Sequence, residues 1–296
     1  MYKAVVFFDL DGTLFDNQKN VSDDNIAAIN QLRENNILPV ISTGRNIFEI
    51  QYVIDATGIN SLVSANGSYV QYQGKKLKAE QISDEVIEEI LASAKKQGDV
   101  ISFYNNEEFA LTAENDLTKV NYRLLRLTPH VEPDFYKTHE VNFLNVFNYD
   151  KDKLYQDEFK GELSLVRNNP RCLDTMKWGV SKQTGIQALL KKAQLGGIPS
   201  YAFGDQLNDL QMFAEVDYPV AMGNGHPDVK AKASFVTTSN VNCGGVNGQR
   251  YVMNICLCII KLIIVLMKSR ENSRFLPSMK ELTQERLNKS FLPGRK

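Results

Sequence analysis

The stretch AVVFF, residues 4–8, contains no polar residue and runs straight into Asp9-Leu10-Asp11-Gly12-Thr13. A short strand with no polar face is buried on both sides, as in parallel sheets covered by helices on both faces. The next segments agree. Residues 22–35 read as a helix capped by Ser22, with Ile26, Ile29 and Leu32 at helical spacing. Residues 38–42 form a second strand, 46–57 a second helix and 62–64 a third strand. This alternation with short connections predicts an α/β fold, a Rossmann-like doubly wound parallel sheet.

After Asn66-Gly67 the rhythm changes. Residues 69–77 read as a hairpin around Gln73-Gly74, and 83–96 as an amphipathic helix with Val86, Ile90 and Ala94 on one face. Strand-like pieces follow at 100–104, 109–112, 141–147 and 163–166, with helical segments near 114–127 and 150–159. The first rhythm then returns: helix 182–195, strand 201–203, helix 207–214, and strands 218–222 and 235–238. The expected organisation is a discontinuous α/β core of residues 1–80 and 179–246. An α+β domain is inserted at 81–178, and a tail of different character occupies 247–296.

With 43% hydrophobic and 23% charged residues the chain is an ordinary globular protein, and a net charge of −1 gives no basic surface for nucleic acid. The charge is uneven, −8 over residues 1–246 and +7 over 247–296. The four cysteines, Cys172, Cys243, Cys256 and Cys258, make neither a disulfide framework nor a zinc pattern. The N-terminal apolar run is too short for a signal peptide. A cytoplasmic protein is expected.

In an open parallel sheet, ligands gather outside the carboxyl ends of the strands. The first strand delivers Asp9, Asp11 and Thr13 there, the second Ser42-Thr43-Gly44-Arg45, and the strand at 201–203 Gly204-Asp205 followed by Asn208 and Asp209; Lys182 opens the preceding helix. A lone Asp is usually a cap or turn residue. Four acids at strand ends are not explained that way. Carboxylates ~4 Å apart repel by roughly 4 kcal/mol at an effective dielectric of 20, so protons or a metal must neutralise them. An all-oxygen set selects a hard ion such as Mg²⁺. Beside a lysine and a Thr-Gly turn, such a site suits a phosphate dianion and a carboxylate nucleophile.

DLDGTL at 9–14, STGR at 42–45, Lys182 within GVSKQTGI, and GDQLNDLQM at 204–212 together resemble haloacid dehalogenase-superfamily phosphatases. AMGNGHPDVKAKASFVTTSN at 221–240 resembles the Cof-type branch, whose large C2-type cap lies between the second and third motifs. The resemblance covers about residues 1–246. It implies a Mg²⁺-dependent phosphatase for a small phosphorylated metabolite, such as a sugar or cofactor phosphate, working through an aspartyl-phosphate. Asp9 would be nucleophile and metal ligand. Asp11 would be general acid and base, lending its backbone carbonyl to the metal. Asp205 would complete the metal set, with Asp209 in support. Thr43, Lys182, Asn208 and the amides of Leu10 and Gly44 would hold phosphate. Arg45 and Asn66 either line the cap-facing mouth or pin a turn.

Alternatives use the same residues. A sugar phosphomutase would pass the phosphoryl group from Asp9 to another hydroxyl. A non-catalytic phosphometabolite-binding protein would normally lack Asp9 or Asp11, and both are present. A receiver-type signalling domain needs an Asp after the third strand, where the chain has Ser64-Ala65-Asn66-Gly67. Elsewhere, Gly223-Asn224-Gly225 reads as a tight turn, His226 as a helix start, and His130 and His139 as surface or packing residues. Trp178, Phe103, Tyr104, Phe143 and Phe147 read as core.

The tail contains YVMNICLCIIKLIIVLM, an apolar run over 251–267 interrupted by Asn254 and Lys261. A membrane span needs about twenty apolar residues, and a central Lys costs about 2.5–3.5 kcal/mol on insertion. A closing helix with a loose basic extension is the leading expectation. Membrane association through 251–267 and an aberrant extension are the other two. No motif speaks to oligomeric state.

Overall fold

A computed structural model describes residues 1–240. The tail at 247–296, its 251–267 run and three of the cysteines lie outside the described residues. Among those described, no helix is long and apolar enough to cross a membrane.

The chain opens with β1 (Ala4–Phe8), α1 (Asp23–Glu34), β2 (Ile37–Ser42), α2 (Gln51–Thr57), β3 (Leu62–Ser64), β4 (Tyr69–Tyr72) and β5 (Lys75–Ala79). It continues with α3 (Asp84–Gln97), β6 (Val100–Tyr104), β7 (Phe109–Leu111), α4 (Asp116–Leu125), β8 (Phe143–Phe147), α5 (Asp152–Glu158), β9 (Leu163–Asn169) and β10 (Cys172–Lys177). It closes with α6 (Lys182–Lys192), β11 (Ser200–Gly204), α7 (Asp209–Phe213), β12 (Tyr218–Ala221), α8 (Pro227–Lys232) and β13 (Phe235–Val236). Two compact units result among the described residues, one of 1–39 with 198–240 and the other Val40–Gly197.

In the first unit β1 pairs in parallel with β11, β11 with β12, and β12 with β13. Every residue of β1 is buried, as a run with no polar face requires. α1 starts at Ser22, whose hydroxyl accepts from the Asn25 amide at 3.3 Å. Asp23 and Asp24 sit at its positive end, and Ala28, Ile29 and Leu32 form the buried face. α8 starts as expected at His226, whose Nδ1 accepts from the Asp228 amide at 3.2 Å.

In the second unit the end of β2 pairs in parallel with β3, and β3, β4 and β5 continue antiparallel. The β4–β5 turn uses Gln73 and Gly74, both at positive φ. A separate five-stranded antiparallel sheet, ordered β7-β6-β8-β10-β9, takes all its strands from within 100–177. One face carries Ile101, Phe103, Leu144, Val146 and Leu173 against Ile87 and Ile90 of α3 and Tyr155 of α5. The other carries Tyr104, Phe143, Phe147 and Met176 against Tyr122 of α4 and, from outside the sheet, Ala65 and Phe48.

Two sequence expectations are corrected. β10 carries no strand signature in sequence, because Cys172, Asp174 and Met176 share one face and Leu173, Thr175 and Lys177 the other, so neither face is uniformly apolar or polar. Trp178 is 52% exposed rather than core, because β10 ends at Lys177.

α6 begins with a reciprocal capping box. Ser181 Oγ accepts from the Thr184 amide at 3.3 Å, and Thr184 Oγ1 accepts from the Ser181 amide at 3.0 Å. The helix seats against the turn after β3 through two glycines. A methyl group on Gly67 would meet the Ser181 carbonyl, and one on Gly185 would meet Val63 and the Gly67 backbone. Gly67 also has φ +94°, where a side chain is strained. Gly67→Ala is therefore expected to cost at least about 2 kcal/mol in urea unfolding. A loss below about 0.5 kcal/mol would contradict this packing.

Candidate active site

In the first unit, the pairing of β1 with β11 puts their carboxyl ends side by side, and the Asp9 amide donates to the Phe203 carbonyl at 3.0 Å. The chain then turns sharply. Asp11 departs from helical geometry (ψ 111°), Gly12 takes φ +84°, and the Phe15 amide closes the turn on the Leu10 carbonyl at 2.9 Å. Glycine is required at 12 because a methyl group there would collide with the Asp205 carboxylate. The Thr13 hydroxyl donates to Asp205 Oδ1 at 3.3 Å. Asn224, in the turn before α8, donates from Nδ2 to the Gly12 carbonyl at 2.9 Å and lies 3.5 Å from Asp205 Oδ2.

β11 ends at Gly204, where a methyl group would strike the Asp209 side chain. Asp209 Oδ2 accepts the amides of Asp205 at 2.8 Å and Gln206 at 3.0 Å, and Gln206 Nε2 donates to Asp205 Oδ2 at 3.0 Å. Asp9, Asp205 and Asp209 are 7%, 2% and 0% exposed, and each offers an oxygen within 4.8 Å of the others. Three buried carboxylates this close, with only oxygen donors, have the chemistry of a hard divalent cation site. Asp11 stands apart: its carboxylate is solvent-accessible and paired with Lys19. Asn208 is the residue before α7, partly exposed and making no capping hydrogen bond.

The second unit holds the other expected residues. Thr43 is buried, and its Oγ1 accepts from the Arg45 amide at 3.2 Å. The loops after β2 and β3 are laced together: the Asn66 amide donates to the Thr43 carbonyl at 3.1 Å, and the Ala65 amide to the Arg45 carbonyl at 2.9 Å. Ala65, Asn66 and Gly67 have φ of 47°, 51° and 94°, three left-handed residues in a row. Such strain persists only where the surroundings enforce it. Gly44 lies tightly against the Asn66 side chain, whose Nδ2 donates to Asp174 Oδ2 at 3.0 Å. Lys182, the first residue of α6, is fully buried.

Asp174, Asn168 and Glu49 hold places that nothing in the sequence signals. Asp174 lies in β10, which carries no strand signature, and Asn224 signals only a turn. Asn168 Nδ2 donates to the same Asp174 oxygen at 2.9 Å. Burial pushes the Asp174 carboxyl up to about 6, opposed by the Asn168 and Asn66 hydrogen bonds and the Lys182 charge. Burial likewise raises Glu49, although Asn46 donates to it from its amide and side chain at 2.7 and 3.1 Å.

A family model described as haloacid dehalogenase-like hydrolase matches residues 6–248. The chain belongs to this family. It is thus a haloacid dehalogenase-like hydrolase, on the α/β fold that the motifs implied. A hypothetical protein of Geobacillus kaustophilus, solved by crystallography, is 33% identical with a TM-score of 0.73, covering 81% of this chain and 94% of that one. The 5-amino-6-(5-phospho-D-ribitylamino)uracil phosphatase YwtE of Bacillus subtilis is 28% identical over 79% of this chain and 93% of its own length. The HMP-PP phosphatase of Serratia proteamaculans is 26% identical, over 78% and 87% respectively.

A folded-state pKa above the unfolded value means that the native protein holds the proton more tightly. The Asp174 carboxyl therefore erodes stability as pH rises from about 3.8 to about 6, and the penalty stays constant above that. Asp174→Asn keeps an acceptor for Asn66 and Asn168. It should stabilise the protein by up to about 3 kcal/mol at pH 8 and not at all near pH 4. Urea melts at the two pH values check this, and an equal effect at both would contradict it.

Proposed function

We propose that this hydrolase is a Mg²⁺-dependent phosphatase acting on a small phosphorylated metabolite, with Asp9 as the covalent nucleophile. The observation that carries the reading is the buried Asp9–Asp205–Asp209 cluster at the carboxyl ends of two adjacent parallel strands. The relatives named above as phosphatases support it. We assign residues 81–178, which contain the five-stranded sheet, to the family's cap.

Asp9, Asp205 and the Asp11 backbone carbonyl would hold the cation, with Asp209 fixing the Asp205 loop through its two amide contacts. The bound cation would neutralise the carboxylates and polarise the phosphate. Thr43, Lys182, Asn208 and the amides of Leu10 and Gly44 would bind the phosphoryl oxygens. An Asp9 oxygen attacks phosphorus, and the ester P–O bond breaks. Asp11, outside the buried cluster and open to solvent, gives its proton to the leaving oxygen. Water then attacks the aspartyl-phosphate, Asp11 takes its proton, and phosphate leaves with the Asp9 carboxylate restored.

Hydrolysis of p-nitrophenyl phosphate with Mg²⁺ tests the reading. Asp9→Asn should lower kcat by about 10³-fold or more, and Asp11→Asn by roughly 10²–10⁴-fold. EDTA should abolish turnover and added Mg²⁺ restore it. Activity that survives Asp9→Asn would refute the nucleophile assignment.

A further inference from the structure

Across β6, β8 and β10, one face of the five-stranded sheet is apolar except for a row of polar side chains across its middle. Ser102 of β6 lies opposite Asn145 of β8, and Asn145 opposite Asp174 of β10, so the three side chains share one face. Tyr104, Phe143, Phe147 and Met176 flank them in that same apolar cluster. Burying such a row without partners is costly. Its hydrogen bonds are only partly complete. Asn145 donates from Nδ2 to the Tyr104 hydroxyl at 3.0 Å, and that hydroxyl is 2.6 Å from the Tyr122 hydroxyl. Asn145 Oδ1 is buried and has no partner among the described residues.

The same imbalance recurs where the row meets the left-handed turn. Asn66 commits Nδ2 to Asp174, which fixes the orientation of its amide, and its buried Oδ1 has no partner among the described residues. Asn66 and Asn145 are 3% and 7% exposed. The unmet valences are thus two amide oxygens and the Ser102 hydroxyl. The two amide oxygens only accept and the hydroxyl can accept or donate, so a matching occupant brings hydroxyl-type donors and, beside the Asp174 carboxylate, no negative charge. The row is open at one end: Asn168 is exposed and Asp174 partly so, whereas Ser102 is fully buried. A strained loop presenting an unpartnered buried acceptor is characteristic of a ligand contact rather than of a packing residue.

We propose that Asn66, Asn145 and Asp174 form a subsite that reads hydroxyl groups on an uncharged, polyhydroxylated leaving group of the phosphate ester. The inference rests on the phosphatase reading and deepens it by naming specificity-determining residues. A site built to accept from hydroxyls discriminates against an analogue lacking them, because its own buried acceptors are then left unpaired.

Steady-state kinetics with ribitol 5-phosphate and pentyl phosphate, equal in chain length and differing in hydroxyls, tests it; sorbitol 6-phosphate and hexyl phosphate repeat the comparison. The wild type should favour the polyol ester in kcat/KM by about tenfold or more, mainly through KM. Asp174→Ala should shrink that ratio about tenfold. Asp174→Asn, isosteric and replacing one acceptor with a donor, should shrink it too. A wild type without the preference, or a ratio unmoved in both variants, overturns the subsite and would mean that the row holds only water. Asp9-dependent hydrolysis of p-nitrophenyl phosphate in that case would leave the phosphatase reading standing. Inactivity toward every ester would refute both.

Discussion

Three carboxylates that repel one another are held together inside the protein, and much of the first unit is arranged around that repulsion. At 4.8 Å each pair of charges costs about 3–4 kcal/mol at an effective dielectric of 20. The chain answers with donors: the Thr13 hydroxyl, the Gln206 and Asn224 amides, and the backbone N–H groups of Asp205 and Gln206. It answers also with space, since Gly12 and Gly204 occupy positions where any side chain would displace Asp205 or Asp209. An apolar strand holds the first acid rigidly, and its parallel partner holds the second. Tolerating such a cluster is a cost to folding that a divalent cation would convert into binding energy.

What was legible in the sequence follows from how local each signal is. β1 could be read because all five of its residues are apolar, and α1 because Ser22 and the Ile29–Leu32 spacing mark its start and face. Asp9 and Asp205, which the fold brings together, were legible because each sits in a contiguous motif. The position of Asp209 within the carboxylate cluster was less so, because it depends on the Gly204 turn bringing a helix residue back over the strand end. β10 was illegible because both of its faces mix polar and apolar residues, and Asp174 was lost with it. Asn224 reads as a turn in sequence, and only the fold brings it to Gly12 and Asp205.

The second unit stores its polarity differently. Its left-handed run at 65–67 is pinned from beneath by α6 and aims Asn66 at a carboxylate from the five-stranded sheet. Strain, a partly buried carboxyl raised to about 6 and unpaired amide oxygens occur together there. None of these features stabilises the fold on its own. Their coincidence is what a recognition surface looks like before its ligand is counted.

The central claim is that the Asp9–Asp205–Asp209 cluster is a divalent cation site, and calorimetric titration of the metal-free protein with Mg²⁺ tests it most directly. One saturable site per chain is predicted, weakened at least about tenfold by Asp205→Asn. Absence of binding, or binding that Asp205→Asn leaves unchanged, would contradict the account.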